Sequence, residues 1–238
     1  ANQNVTGLAM TTFGVGIGNF FGGSLIKLTG SEVPSIALST TSAYFSKSLP
    51  FAAKCGWFGQ IFLSYGFLAY LAILLALLAS YFLKHTRPGL HLRAVGESAS
   101  TADAAGINVT LYKYLSTCIG AGICGIGGLY YVLDYNQGIW ATTGQIEALG
   151  WLAVALVIFT TWKPLNAIWG AYLFGMLYWL YQFLPTLLGI TLASYMTDLV
   201  QMLPYVVTVL VLIAVSMRKK KEDQPPAHLG LPYFREER

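Results

Sequence analysis

Charge is scarce in this sequence. Asp, Glu, Lys and Arg together make up 10% of its 238 residues, while 55% are hydrophobic. Soluble domains carry about 25% charged residues, so this composition excludes an ordinary water-soluble domain and points to a bilayer. Cysteine is nearly as rare, with Cys55, Cys118 and Cys124 only. Cys118 and Cys124 fall on different faces of one apparent helix, which disfavours a disulfide between them. All three read as small apolar packing residues rather than redox or metal groups.

The usual chemical motifs are missing as well. No G-x-x-x-x-G-K-[ST] loop is present, so the chain does not hydrolyse ATP by that route. There is no H-E-x-x-H pair and no G-x-S-x-G elbow. His85, His91 and His228 do not cluster with acids, so no metal or catalytic site is expected. Asp134 and Asp198 stand near the ends of apolar stretches, not inside them. Proton- and sodium-coupled carriers keep ionisable groups at mid-membrane. Their lack here argues against an ion-coupled carrier or channel and for energy supplied from elsewhere. A membrane enzyme would need a clustered catalytic set near one interface, and none is visible.

What is abundant is uncharged sequence. Residues 1–26, 55–83, 114–133, 148–162, 164–197 and 199–217 carry no Asp, Glu, Lys or Arg. A spanning helix needs about 20 mostly apolar residues. In lipid every backbone amide must be satisfied within the segment, so such stretches are helices. The expected fold is all-α, a polytopic membrane bundle with segments near 5–26, 59–83, 110–133, 147–162, 165–185 and 196–217. The fourth is short, so it tilts little, borrows flanking residues or enters only partway. Residues 1–217 form the expected transmembrane domain and 218–238 a cytoplasmic basic tail.

Lys84, Arg87 and Arg93 follow the second segment; Arg218, Lys219, Lys220 and Lys221 follow the sixth. Four segments separate the two basic regions, so both can face one side, which the positive-inside rule makes the cytoplasm. Lys163 then also falls inside, while Glu32, Asp134 and Glu147 fall outside.

Glycine is concentrated in two segments. Gly14, Gly18 and Gly22 recur at four-residue spacing in the first, and Gly120, Gly122, Gly125, Gly127 and Gly128 crowd the third. Small-xxx-small stripes let helices approach backbone to backbone in lipid. The alternative is a flexible or broken helix beside a permeation path. Residues 28–58, with Pro34 and Pro50, form an external connector, either a plain surface loop or a gate. The six tryptophans gather near segment ends, as interfacial anchors do. Pro185 is expected to end the fifth segment and Pro204 to kink the sixth.

One polar stretch, residues 84–108, stands out between the second and third segments. Ser98 is a plausible N-cap and Gly106 a plausible C-terminal stop for a short helix over 99–105. Ala and Ser dominate that helix, so its surface is expected to be nearly bare backbone, fit for a groove on another protein. Arg93, Glu97 and Asp103 can orient such a contact by charge-assisted hydrogen bonds.

The run Gly89-Leu-His-Leu-Arg-Ala-Val-Gly-Glu-Ser-Ala-Ser-Thr-Ala-Asp-Ala-Ala-Gly-Ile-Asn108 resembles the cytoplasmic coupling loop of ABC-importer permeases of the branched-chain amino acid and ribose type. Within that group it is most similar to the nucleoside, basic membrane protein-associated branch. Arg93, Ala94, Val95, Gly96, Glu97, Ala102, Ala105 and Gly106 match the family pattern, and Ser98-Ala99 replaces its usual Asn-Pro pair. Further similarity lies in 150–164, Leu173-Phe-Gly175, 202–208 and the tail 226–235. The family's Gly-Val-Xaa-Asn-Ile-Gly-Xaa-Glu-Gly stretch near its start has no counterpart here, so the chain reads as a fragment lacking upstream segments.

The resemblance implies a non-enzymatic permease subunit in a bacterial cytoplasmic membrane. It implies two cytoplasmic ATP-binding subunits that grip Arg93–Gly106, a second permease chain and an extracytoplasmic substrate-binding lipoprotein. ATP is bound by the partner, with no cofactor, metal or nucleic acid in this chain. The expected cargo is a nucleoside, moved by alternating access. Sugar or branched-chain amino acid cargo is the alternative.

Overall fold

The computed structural model describes residues 3–29, 44–45, 64–138, 145–188, 196, 199, 202–218 and 224–234. Among these, every regular element is helical. In chain order they are α1 (Gln3–Thr29), α2 (Phe67–His85), α3 (Arg87–Glu97) and α4 (Ala99–Ala104). Next come α5 (Val109–Tyr130), which runs into a π-helical turn at Tyr131–Tyr135, then α6 (Gln145–Phe159), α7 (Pro164–Leu188) and α8 (Leu203–Arg218).

Helix stands at each of the six places where the uncharged stretches predict it. Phe67–His85 and Val109–Tyr135 are both long and apolar enough to cross a membrane, and Ile146–Phe159 is apolar but shorter. Only 11% and 6% of the two long windows is buried, which separates them from the core helices of soluble proteins. At about 1.5 Å per residue, α2 spans ~28 Å, close to a hydrocarbon core, whereas α6 spans ~22 Å and falls short of it. Leu78, Tyr114 and Ile119 point outward from α2 and α5. Some hydroxyls on α5 and α1 bond back to their own helix: Thr117 donates to the Lys113 carbonyl, Thr11 to that of Gly7 and Thr12 to that of Leu8. Such back-bonding spares these three hydroxyls from facing lipid unpaired.

Several boundaries differ from the sequence expectation. α2 begins at Phe67, not near residue 59, and its first turn is closed by the Ala69 amide on the Gly66 carbonyl. Residues 87–97, expected as a basic lead-in loop, form the separate helix α3. Pro185 lies inside α7, which continues to Leu188. Pro204, expected to kink the sixth segment, sits in the first turn of α8, where its missing N–H leaves nothing unpaired; the Met202 amide just before it donates to the Leu199 carbonyl. Most of the 28–58 connector, with Pro34 and Pro50, lies outside the described residues, as do Cys55, Trp57, Trp140, Asp198 and Lys219–Lys221.

The chain divides into two compact units. One comprises Ala1–Leu74, Leu90–Ile146 and His228–Arg238. It holds a small hydrophobic core of Val95, Ala99, Ala102 and Val109, flanked by Ile107, Tyr112 and Tyr233. At the far end of α5, Tyr131 and Tyr135 stack at 5.4 Å, and a side chain at Gly66 would strike the Phe45 carbonyl and Asp134 Oδ2.

The other unit comprises Leu75–Gly89 and Glu147–Ala227. Here α6 turns into α7 through Thr161 and Trp162, both left-handed at φ 53° and 61°. Buried Thr160 anchors that turn. Its hydroxyl donates to the Val157 carbonyl at 3.1 Å, and its own carbonyl accepts from Asn166 Nδ2 at 3.3 Å. Phe159 and Phe174 pack at 5.1 Å across the two helices.

Candidate functional site

The α3–α4 stretch is shaped by local hydrogen bonds at three corners. At the first, Thr86 separates α2 from α3. Its hydroxyl donates to the Phe82 carbonyl at 2.7 Å and accepts the Gly89 amide at 3.1 Å, so it closes one helix and caps the next. Pro88 falls in the first turn of α3, where proline fits. Gly89 is buried there, and a Cβ on it would run into the backbone of Phe82 and Leu83.

At the second corner Ser98 caps α4. Its side chain accepts from the Thr101 amide at 3.4 Å and contacts the Thr101 hydroxyl at 2.8 Å. At the third, Gly106 adopts φ 83°. The Ile107 amide donates to Ala102 and the Gly106 amide to Asp103, each at 3.0 Å. This is a Schellman ending, with Ile107 packed back on the core cluster that holds Ala102. Asn108 then caps α5 by accepting from the Leu111 amide at 3.0 Å.

The two faces of this segment differ. Ala99 is 0% exposed and Ala102 3% exposed, packed with Val95 and Val109. The expectation of a nearly bare surface on α4 is therefore corrected for its alanine face. Those residues are small so that α4 can lie close on α5, and they point inward. The outward face carries Arg93, Ala94, Glu97, Ser100, Thr101, Ala104, Ala105 and Gly106. Arg93 and Glu97 stand one turn apart on α3 without pairing, and neither side chain meets a polar partner among the described residues.

The C-terminal tail joins the site, which sequence reading missed. The His228 amide donates to the Gly96 carbonyl at 3.0 Å. The Tyr233 hydroxyl donates to Asp103 Oδ2 at 2.8 Å. Lys113 Nζ donates to the Leu231 carbonyl at 3.1 Å and lies 5.9 Å from the Tyr233 ring centre. Asp103, Gly106, Ile107, Asn108, Val109 and Tyr233 line a shallow pocket of about 270 Å³. His91 Nδ1 and the Tyr112 hydroxyl are 3.1 Å apart beside it.

The glycines singled out for packing fall into two groups. Gly14 on α1 and Gly120, Gly122 and Gly125 on α5 have nothing within 4 Å of a would-be side chain among the described residues. Gly18 is half-buried and Gly22 buried. Among the described residues Gly14 and Gly125 are therefore not brought together, and nothing covers either position.

A family model for the permease component of branched-chain amino acid transport systems matches residues 1–215. The chain is 30% identical to the guanosine ABC transporter permease of Bacillus subtilis, over 100% of this chain and 70% of that one. It is 34% identical to the nucleoside ABC transporter permease of Lactococcus lactis, over 69% of this chain and 51% of that one. A provisionally named glucose ABC transporter permease of Haloferax volcanii is 33% identical over 74% of this chain and 51% of its own length. The chain thus spans about half the length of two of these curated relatives and more of the third. No solved structure matches it. Helices made for lipid and a family match across most of the length agree: the chain is a membrane protein and belongs to the permease components of the branched-chain amino acid transport family.

Proposed function

We propose that this chain is the transmembrane permease subunit of an ATP-driven importer for nucleosides, in a bacterial cytoplasmic membrane that it crosses several times. Two cytoplasmic ATP-binding subunits dock on the outward face of α3–α4 and supply the energy. A second permease chain completes the path, and an extracytoplasmic lipoprotein delivers the solute. The permease makes and breaks no bonds. Its contribution is two packings of one bundle whose relative stability the ATPase shifts. Residues 1–217 serve as the membrane domain and 218–238 as its cytoplasmic tail.

The observation that carries this reading is the outward face itself. Arg93 and Glu97 are exposed and, among the described residues, meet no polar partner; they stand beside a small-residue helix capped at both ends. A connecting loop has no need of such rigidity, whereas a lever does. Nucleoside cargo is supported by the printed assignments of the Bacillus and Lactococcus relatives. A sugar is the second reading, supported by the Haloferax relative at comparable identity.

Co-purification of the permease with its ATPase, followed by labelled guanosine and glucose uptake in proteoliposomes, tests both parts. Retained ATPase with ATP-dependent guanosine uptake is the expected result. Uptake that proceeds without ATP would sink the importer reading; glucose uptake alone would replace the cargo.

A further inference from the structure

The helix α4 is too short to hold its own place. It has six residues, fewer than two turns, and isolated helices of that length are unstable in water. Its inward face contributes only Ala99 and Ala102 to the core, little area with which to fix its rotation or tilt. Caps at Ser98 and Gly106 secure its ends but not its orientation. Something else must do so if force is to pass through it.

We infer that residues 228–234 form a strap that sets the orientation of α4, with Tyr233 as the positioning residue. This rests on the coupling reading of α3–α4. The strap attaches to three helices. His228 ties to the end of α3 through the Gly96 carbonyl. Tyr233 ties to α4 through Asp103 at 2.8 Å, an acid–hydroxyl bond of the stronger kind. Leu231 ties to α5 through Lys113 at 3.1 Å. A turn closed by the Leu231 amide on the His228 carbonyl at 3.3 Å keeps these attachments in register. The Tyr233 ring also packs on the core cluster that α4 shares with α5, so the residue holds α4 by a polar bond and an apolar contact at once. A tail that merely trailed from the last helix would not make one attachment to each of three elements.

The strap gives Tyr233 a role distinct from docking. It touches no cargo and need touch no ATPase. It makes α4 rigid, so that movement of the partner moves the bundle instead of bending the helix.

The test uses the permease in its complex with the ATPase and, separately, in detergent alone. Tyr233→Ala, Tyr233→Phe, Asp103→Asn and the control Gln224→Ala, an exposed residue outside the strap, are compared. Hydrogen exchange of the 99–107 amides in the permease alone is expected to quicken about tenfold in Tyr233→Ala, and less in Tyr233→Phe, which keeps the ring. Asp103→Asn keeps an acceptor for the hydroxyl but loses its charge, so exchange should quicken less than in Tyr233→Ala, while Gln224→Ala should stay at wild type. In proteoliposomes Tyr233→Ala and Tyr233→Phe retain the ATPase but carry several-fold less labelled guanosine per ATP hydrolysed. Unchanged exchange in Tyr233→Ala overturns the strap. Quickened exchange with undiminished uptake per ATP overturns the positioning role. If the wild-type permease never retains the ATPase, the coupling reading fails on its own, while the exchange comparison still decides whether the strap holds.

Discussion

Thr86 and Gly89 lock the corner between α2 and α3: the threonine hydroxyl accepts the glycine amide at 3.1 Å while giving its proton to Phe82. Thr86→Val removes both bonds and should destabilise the protein by about 1 kcal/mol, the usual worth of a helix cap. Thr86→Ser keeps both and should restore most of it. Gly89→Ala places a methyl against the Phe82 and Leu83 backbone and should cost about 1–3 kcal/mol. Thermal unfolding in detergent measures all three. Equal melting of Gly89→Ala and wild type would show the corner to be looser than drawn here.

Gly106 predicts a contrast between strain and bulk. Its φ of 83° is reluctant ground for a side chain, yet nothing within 4 Å obstructs one among the described residues. Gly106→Val should therefore fail by backbone strain of about 1–2 kcal/mol. Gly106→Asn, which tolerates the left-handed region, should be milder. Membrane insertion should be normal in both, with ATPase retention lost in the first and largely kept in the second. Equal retention in the two would remove the Schellman ending from the argument.

Among the described residues nothing lies within 4 Å of a side chain built at Gly14 or Gly125, so a larger residue there should leave the folded subunit intact. Gly125→Leu is expected to keep the melting temperature of the isolated chain within error while reducing association with the second permease chain at least tenfold. Chemical crosslinking in membranes reads the association. Unimpaired pairing would assign the stripe to lipid contact.

Sidedness can be read directly. A cysteine at Ser100, on the outward face, in a background without Cys55, Cys118 and Cys124, should react with an impermeant thiol reagent only when the cytoplasmic side is opened. Labelling from intact cells would invert the topology and end the docking account.

The parts legible in the sequence were those decided by neighbours along the chain. Charge spacing located the long helices because lipid enforces internal hydrogen bonding. Ser98 and Gly106 were readable as caps because capping is a local reaction between a side chain or a φ angle and the next few amides. α3 was missed because Pro88 and Gly89 look like breakers, although Thr86 followed by Pro88 is also a helix start. Pro204 in the first turn of α8 shows the converse ambiguity: a proline in an apolar run marks a kink or a beginning equally well. The inward turn of Ala99 and Ala102 depends on the packing of Val95 and Val109 around them, which composition cannot express. Tyr233 was out of reach altogether, since its bond to Asp103 joins positions 130 residues apart. The glycine stripes showed a face but not what lies against it.

The turn at Thr161 and Trp162 has a consequence for the protein's working temperature. Two consecutive residues with bulky side chains occupy a conformation that disfavours each by about 1–2 kcal/mol. The reversal is sustained by the Thr160 carbonyl, which accepts from the Lys163 amide and the Asn166 side chain, and by close helix contact at Gly170. Tension of this kind is released the moment its supports slacken. Warming or harsh detergent should therefore part α6 from α7 at the reversal first, before the helices themselves unwind.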